Sequence, residues 1–121
     1  MKFSDYNIND DIKRNLDELG FKKPTDIQFK SIPPILRGED VLAIAQTGTG
    51  KTAAFAIPII HLIHQNKSSK RTDYIKCVVM VPTHELALQI QEVFDKIAYK
   101  TRVKSICIFG GVEQDPQIKA L

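Results

Sequence analysis

The feature that most constrains this chain is the stretch Ala45-Gln46-Thr47-Gly48-Thr49-Gly50-Lys51-Thr52. The apolar run Val41-Leu42-Ala43-Ile44 precedes it, and Ala53-Ala54-Phe55-Ala56-Ile57 follows. That order reads as strand, glycine turn, helix, the context a phosphate-binding P-loop needs. Gly48 and Gly50 let the backbone bend so that successive N–H groups converge on one point. A helix starting near Lys51 adds the positive end of its dipole at the same place. Lys51 is long enough to reach the β- and γ-phosphates of a nucleotide, and the Thr52 hydroxyl can ligate Mg²⁺. A glycine turn that only caps a helix is the competing reading. Gly-Lys-Thr at a strand–helix junction is too specific a signal to favour it.

On the N-terminal side, Met1 to Asn9 is expected to be irregular, with Phe3 and Tyr6 as its apolar residues. A helix is expected from Asp10 to Leu19. Asn9 is its N-cap, Asp10 and Asp11 favour its first turn, and Ile12, Leu16 and Leu19 form one apolar stripe. Gly20 ends it. In Gly20-Phe21-Lys22-Lys23-Pro24-Thr25-Asp26-Ile27-Gln28, Pro24 forces Lys23 into an extended conformation. Thr25 and Gln28, three residues apart, make a capping box that opens a second helix. Pro33-Pro34 is expected to interrupt that helix at about Ile32, with a short turn carrying on to Leu36. A third helix is expected from Lys51 to about Gln65, kinked at Pro58. His61 and His64 sit at i, i+3 on it, with no further ligands to complete a metal site.

Asn66 to Tyr74 reads as a polar surface loop. Lys76-Cys77-Val78-Val79-Met80-Val81 is an apolar run of the kind found in strands buried on both faces. Pro82-Thr83-His84-Glu85-Leu86-Ala87 follows at its end. Thr83 can cap a helix running to about Tyr99, with Leu86, Ile90, Val93 and Ile97 facing inward. Lys104 to Phe109 reads as a third strand ending in Gly110-Gly111, and Asp115-Pro116 as the opening of a last helix. Strands alternating with helices argue for an α/β fold with a parallel sheet flanked by helices. The candidate loops all follow strands, where open α/β sheets place ligands.

Composition narrows the class further. Among 121 residues, 43% are hydrophobic and 26% charged, as in ordinary soluble domains. A net charge of +3 permits a nucleic-acid partner without demanding one. The two cysteines, Cys77 and Cys107, lack metal or redox spacing and are expected to be buried and inert, which suits a reducing cytoplasm. The charged N-terminus is not a signal peptide, and no apolar run is long enough to span a bilayer. The expectation is a cytoplasmic protein with no membrane partner.

Four stretches resemble motifs of the DEAD-box RNA helicases, in that family's order. Gly20-Phe21-x-x-Pro24-Thr25-x-Ile27-Gln28 is similar to the Q motif. Ala45 to Thr52 looks like motif I, with Ala45 where the general P-loop pattern has Gly. Pro82-Thr83-x-Glu85-Leu86-Ala87 looks like motif Ia, and Gly110-Gly111 like the GG motif. The chain thus resembles the first RecA-like domain of the family over essentially its whole length, and the compact bacterial members most. Residues 1–39 would be N-terminal helices carrying the Q motif, and residues 40–121 a partial, incomplete P-loop RecA-like domain.

The resemblance implies roles for particular residues. Phe21 would stack on the adenine of ATP, the Lys23 carbonyl would accept from it, and Gln28 would read its edge, with Phe3 as the isolated upstream aromatic. Ala45, Gln46, Thr47, Gly48, Thr49, Gly50, Lys51 and Thr52 would hold the phosphates, Thr52 on Mg²⁺. Pro82, Thr83, His84, Glu85, Gly110 and Gly111 would touch the RNA backbone without reading sequence. Most members carry Arg where this chain has His84, and a neutral imidazole makes a weaker phosphate contact than guanidinium.

Hydrolysis in this family also needs an acidic pair after an apolar strand, Asp for Mg²⁺ and Glu for the attacking water. No apolar run here ends in Asp-Glu. The expectation is an N-terminal, ATP-binding part of an RNA helicase, inactive alone, whose parent closes a second RecA-like domain over ATP. Two alternatives stay open: another P-loop NTPase, such as a DNA helicase or a small-molecule kinase, and a non-catalytic ATP- or RNA-binding module.

Overall fold

The computed structural model describes residues 1–46, 50–65, 74–110 and 114–120. A short 3-10 turn at Phe3–Asp5 precedes the helices α1 (Asp10–Glu18), α2 (Asp26–Leu36), α3 (Lys51–Gln65), α4 (His84–Ile97) and α5 (Gln114–Ala120). Local chemistry sets most of their ends. The Asn9 side chain accepts from Asp11 N at 2.8 Å and caps α1. Gly20, at φ +85°, closes it: Phe21 N donates to Leu16 O at 2.8 Å and Gly20 N to Asp17 O at 3.1 Å, the paired bonds of a Schellman cap. Thr83 caps α4 by accepting from Leu86 N at 3.1 Å. That helix stops at Ile97, two residues before the expected end. The chain then turns, and Lys100 takes a left-handed φ of 65°.

The prolines end nothing. α2 runs through Pro33 and Pro34 to Leu36, where an interruption at Ile32 was expected. Each proline removes its own N–H from the ladder and crowds the carbonyl four residues back, yet the helix continues. Their carbonyls still accept, Pro33 O from Arg37 N at 3.2 Å and Pro34 O from Glu39 N at 3.0 Å, so the last turn closes. α3 likewise continues through Pro58, which is buried.

The core is built on α3, whose Ala53, Ala56, Ile57 and Ile60 are buried. α2 packs along it from one side and α4 from the other, while α1 leans on α4. Ile12, Leu16, Ile32, Ile57, Ile60 and Ile97 are fully closed off from solvent, each such burial being worth about 1.5–3 kcal/mol relative to exposure. Phe3, Tyr6 and Ile8 join the same cluster, so the N-terminal segment is part of the core.

The runs expected as strands do not form a ladder. Among the described residues there is no strand, and no backbone–backbone hydrogen bond joins the runs 41–44, 76–81 and 104–109. A strand persists only where a neighbour about 4.8 Å away takes up its N–H and C=O groups. Here two of the runs face solvent: Leu42 is 92% exposed and Met80 90%. Cys77 is therefore exposed and Cys107 half-buried, where both were expected to be buried. The third run keeps a strand-like pattern. Half-buried Val103, Ser105, Cys107 and Phe109 alternate with exposed Lys104, Ile106 and Ile108, because one face lies on α4.

Candidate functional site

The Schellman turn that ends α1 delivers the first group of site residues. It presents Phe21 beside Phe3, with ring centroids 6.3 Å apart and planes at 35°. Phe3 N donates to Lys22 O at 3.3 Å, which ties the N-terminal segment to this turn. Phe3 is buried, whereas Phe21 and Lys23 reach the surface.

The capping box of α2 then joins this region to the P-loop. The Thr25 hydroxyl accepts from Gln28 N, and Gln28 Oε1 accepts from Thr25 N at 2.9 Å. Gln28 is only 4% exposed, and its Nε2 donates to Gly50 O at 3.1 Å. That carbonyl also accepts from Ala54 N at 3.2 Å, the first bond of α3. Gly50 has φ +84°, and a Cβ built there would lie 2.4 Å from Gln28 Nε2 and 3.3 Å from Thr25 Oγ1. Only glycine fits, in both backbone conformation and space. Gln28 thus caps its helix and buttresses the phosphate loop with the same amide. An amide offers two acceptor and two donor positions, so one of each remains beyond these two bonds.

Lys51 and Thr52 stand in the first turn of α3, where unpaired amides and the helix dipole favour an anion. Lys51 Nζ donates to Ala45 O at 2.8 Å, spanning the base of the loop. An ammonium has three N–H donors, so this contact leaves two. Thr47, Gly48 and Thr49 lie outside the described residues, as does Gly111. Among the described residues, the Gly50 backbone held by Gln28, the Lys51 ammonium and the N-terminus of α3 are groups that suit a nucleotide phosphate.

A second group forms at the start of α4. Pro82, Thr83, His84 and Glu85 are exposed there. The run 103–109 passes antiparallel to α4. Ser105 bonds Asp95 and Gln91, Cys107 Sγ donates to Ala87 O at 3.2 Å, and the Phe109 ring meets that of His84 with centroids 4.5 Å apart. Motif Ia and Gly110, far apart in sequence, therefore share one patch. Phe109 was not among the expected site residues. Its only sequence signal was its place at the end of the run, directly before the glycines.

Three polar residues position these elements: Asn15, which sequence reasoning passed over, and His61 and His64, which it weighed only as metal ligands. Asn15 is buried on the stripe of α1, and its Nδ2 donates to Ile97 O at 2.8 Å and Tyr99 O at 2.6 Å, capping α4. His61 Nδ1 accepts from Asn9 N at 3.0 Å, and His64 Nδ1 accepts from Arg102 N at 3.4 Å. In both rings Nδ1 is taken up as a hydrogen-bond acceptor from a backbone N–H. Burial pushes His61 below the usual imidazole range, nearby His64 adds to the effect, and a side-chain bond with Gln65 opposes it.

The family model described as DEAD/DEAH box helicase matches residues 25–121, and the chain belongs to that family. It is 40% identical over 125 residues to the DEAD-box ATP-dependent RNA helicase RhpA of Helicobacter pylori, covering 96% of this chain and 24% of the relative. It is 42% identical over 119 residues to an ATP-dependent rRNA helicase of Saccharomyces cerevisiae, covering 98% and 23%. The crystal structure of a DEAD box protein from the hyperthermophile Methanococcus jannaschii matches with a TM-score of 0.84 at 41% identity, covering all of this chain and 32% of that one. A hypothetical ATP-dependent RNA helicase from Sulfolobus tokodaii gives 0.80 at 36% identity, covering 93% and 30%. These neighbours are consistent with an α/β fold. The chain spans a quarter to a third of the length of the relatives just described.

Proposed function

We propose that this chain is the nucleotide-binding part of an ATP-dependent RNA helicase, with a second surface that touches RNA backbone. The observation that carries the reading is the Gln28 Nε2–Gly50 O bond, because it joins the stretch proposed to read adenine to the glycine that opens α3 in one half-buried contact. In this reading residues 1–39 carry the base-reading helices and residues 40–121 part of a RecA-like unit. In the longer parent the runs 41–44, 76–81 and 104–109 would pair in a parallel sheet, and a second RecA-like domain closes over the nucleotide. The working compartment is the cytoplasm.

Bound ATP with Mg²⁺ would supply a phosphoanhydride bond to be hydrolysed by the parent. The chain's own residues prepare for it. The ammonium of Lys51, held by Ala45 O, offers its two remaining N–H groups to phosphate oxygens. The Thr52 hydroxyl is the group to hold Mg²⁺. The spare donor and acceptor of the Gln28 amide match the acceptor and donor on the edge of adenine, whereas guanine presents two acceptors there. Phe21 offers a ring face that does not distinguish purines. Thr83 and Gly110 contact phosphate and sugar, so this part of the RNA contact is independent of sequence.

Calorimetric titration with ADP and GDP tests the reading. ADP is expected to bind more tightly, by on the order of ten-fold or more, since a good bidentate pair discriminates by about 1–3 kcal/mol. Gln28→Ala should narrow that gap, and Phe21→Ala should weaken both nucleotides alike. An unchanged ADP/GDP ratio in a folded Gln28→Ala protein would leave Gln28 as a helix cap and loop buttress only.

A further inference from the structure

We propose that His84 and Phe109 together form a stacking surface for an unpaired base of a single RNA strand, so that the first turn of α4 holds RNA by a ring face as well as by backbone contacts. The proposal rests on the RNA-binding reading above and adds to it a base contact and the residues that make it.

Three observations carry it. The two rings lie with centroids 4.5 Å apart and planes at 31°, a tilted stack rather than an edge contact. His84 is exposed while Phe109 is half-buried, so Phe109 is the backing ring and His84 the outer one. Both rings are set by their own backbones: Thr83 caps the turn that begins with His84, and Phe109 N donates to Gln117 Oε1 at 2.9 Å. Among the described residues, nothing lies within 4 Å of a Cβ added to Gly110. A sugar can approach there.

The chemistry favours stacking over ion pairing. An imidazole backed by a phenyl ring directs a face outward, and every base has a π-face to lay on it. The contact is therefore tolerant of sequence, as the rest of the surface is. A guanidinium would supply a planar fork of donors to a phosphate, and an imidazole ring supplies no such fork. Phe109 acts through His84 and is a positioning residue.

The test is an anisotropy titration of the chain with labelled single-stranded oligoadenylate and with an abasic strand of the same backbone. His84→Ala should weaken oligoadenylate binding by roughly five- to a hundred-fold, as loss of one stacked base does, and should leave abasic binding unchanged. His84→Phe should keep most of the affinity, and Phe109→Leu should lose part of it. The slope of log K against log salt should be the same for the wild type and His84→Ala. Equal weakening on both strands, with a slope shallower by about 0.7, would show a phosphate contact and overturn the proposal. No effect of His84→Ala on either strand would overturn it too. Wild-type protein that binds neither strand would sink the RNA-binding reading along with it; binding of both strands with no preference for bases would sink the stacking alone.

Discussion

Single residues carry more than one duty in this chain, and Gly50 shows why that limits substitution. Its left-handed φ of +84° disfavours any side chain, by roughly 1–2 kcal/mol. The position of its missing Cβ is also taken by the Gln28 amide. Gly50→Ala should therefore destabilise the fold and push Gln28 off the loop together. The expected outcome is a urea-unfolding loss of about 2–3 kcal/mol, the backbone cost plus a broken half-buried hydrogen bond, with ADP and GDP bound more nearly alike. A variant that unfolds like the wild type would show that the loop relaxes freely around Gln28. The sequence marked both residues, Gly50 for the turn and Gln28 for the cap. That they touch was not legible, because 22 positions separate them and nothing local fixes the distance.

At the scale of helices, polar side chains tie one element to another. The Nδ2 of Asn15 serves two carbonyls at the end of α4 from within the apolar stripe of α1. Asn15→Ala would leave at least one buried carbonyl without a partner, a loss of about 1–3 kcal/mol. Equilibrium urea unfolding would register it, and a cost below about 0.5 kcal/mol, as for an ordinary surface position, would mean that water replaces the amide. His61 makes the junction of α1 and α3 sensitive to pH. Its folded pKa is lowered from the ordinary 6.5, chiefly by burial, so the unfolded chain takes up its proton first. The stability it contributes is complete above about pH 6.5 and falls as pH drops through the lower folded pKa. Protonation would also remove Nδ1 as the acceptor for Asn9 N. The wild type should lose more stability between neutral pH and pH near 5 than His61→Gln does; parallel curves would show that His61 does not titrate differently on folding. A polar residue on an apolar stripe was the only sequence signal for these ties, and it does not name the partner.

For the molecule as a whole, the helices make the core while the runs 41–44 and 75–80 stay on the surface. Leu42→Lys and Met80→Lys should then cost less than about 0.5 kcal/mol each, since side chains this exposed bury almost nothing. Both should reduce binding of an apolar dye to the chain. A loss of several kcal/mol from either would mean that these runs are packed inside a sheet in solution. The capped helices and the aromatic turn before α2 do not depend on that outcome, because their bonds are local.

The sequence by itself determined what short-range chemistry can dictate. The caps at Asn9, Thr25 and Thr83, the left-handed glycine after α1, the helix start at Lys51 and the family all follow from neighbours a few residues apart. It also marked Phe21, Gln28, Lys51 and His84 as the residues to examine. Tertiary structure alone decided what those residues meet. It placed Gln28 on Gly50, Phe3 on Phe21 and Phe109 on His84, carried α2 through two prolines, and left two apolar runs exposed. The reason is physical. A cap or a turn is closed by bonds within one or two turns of chain, whereas a strand needs a neighbour from elsewhere and a ring pair needs two elements already in place.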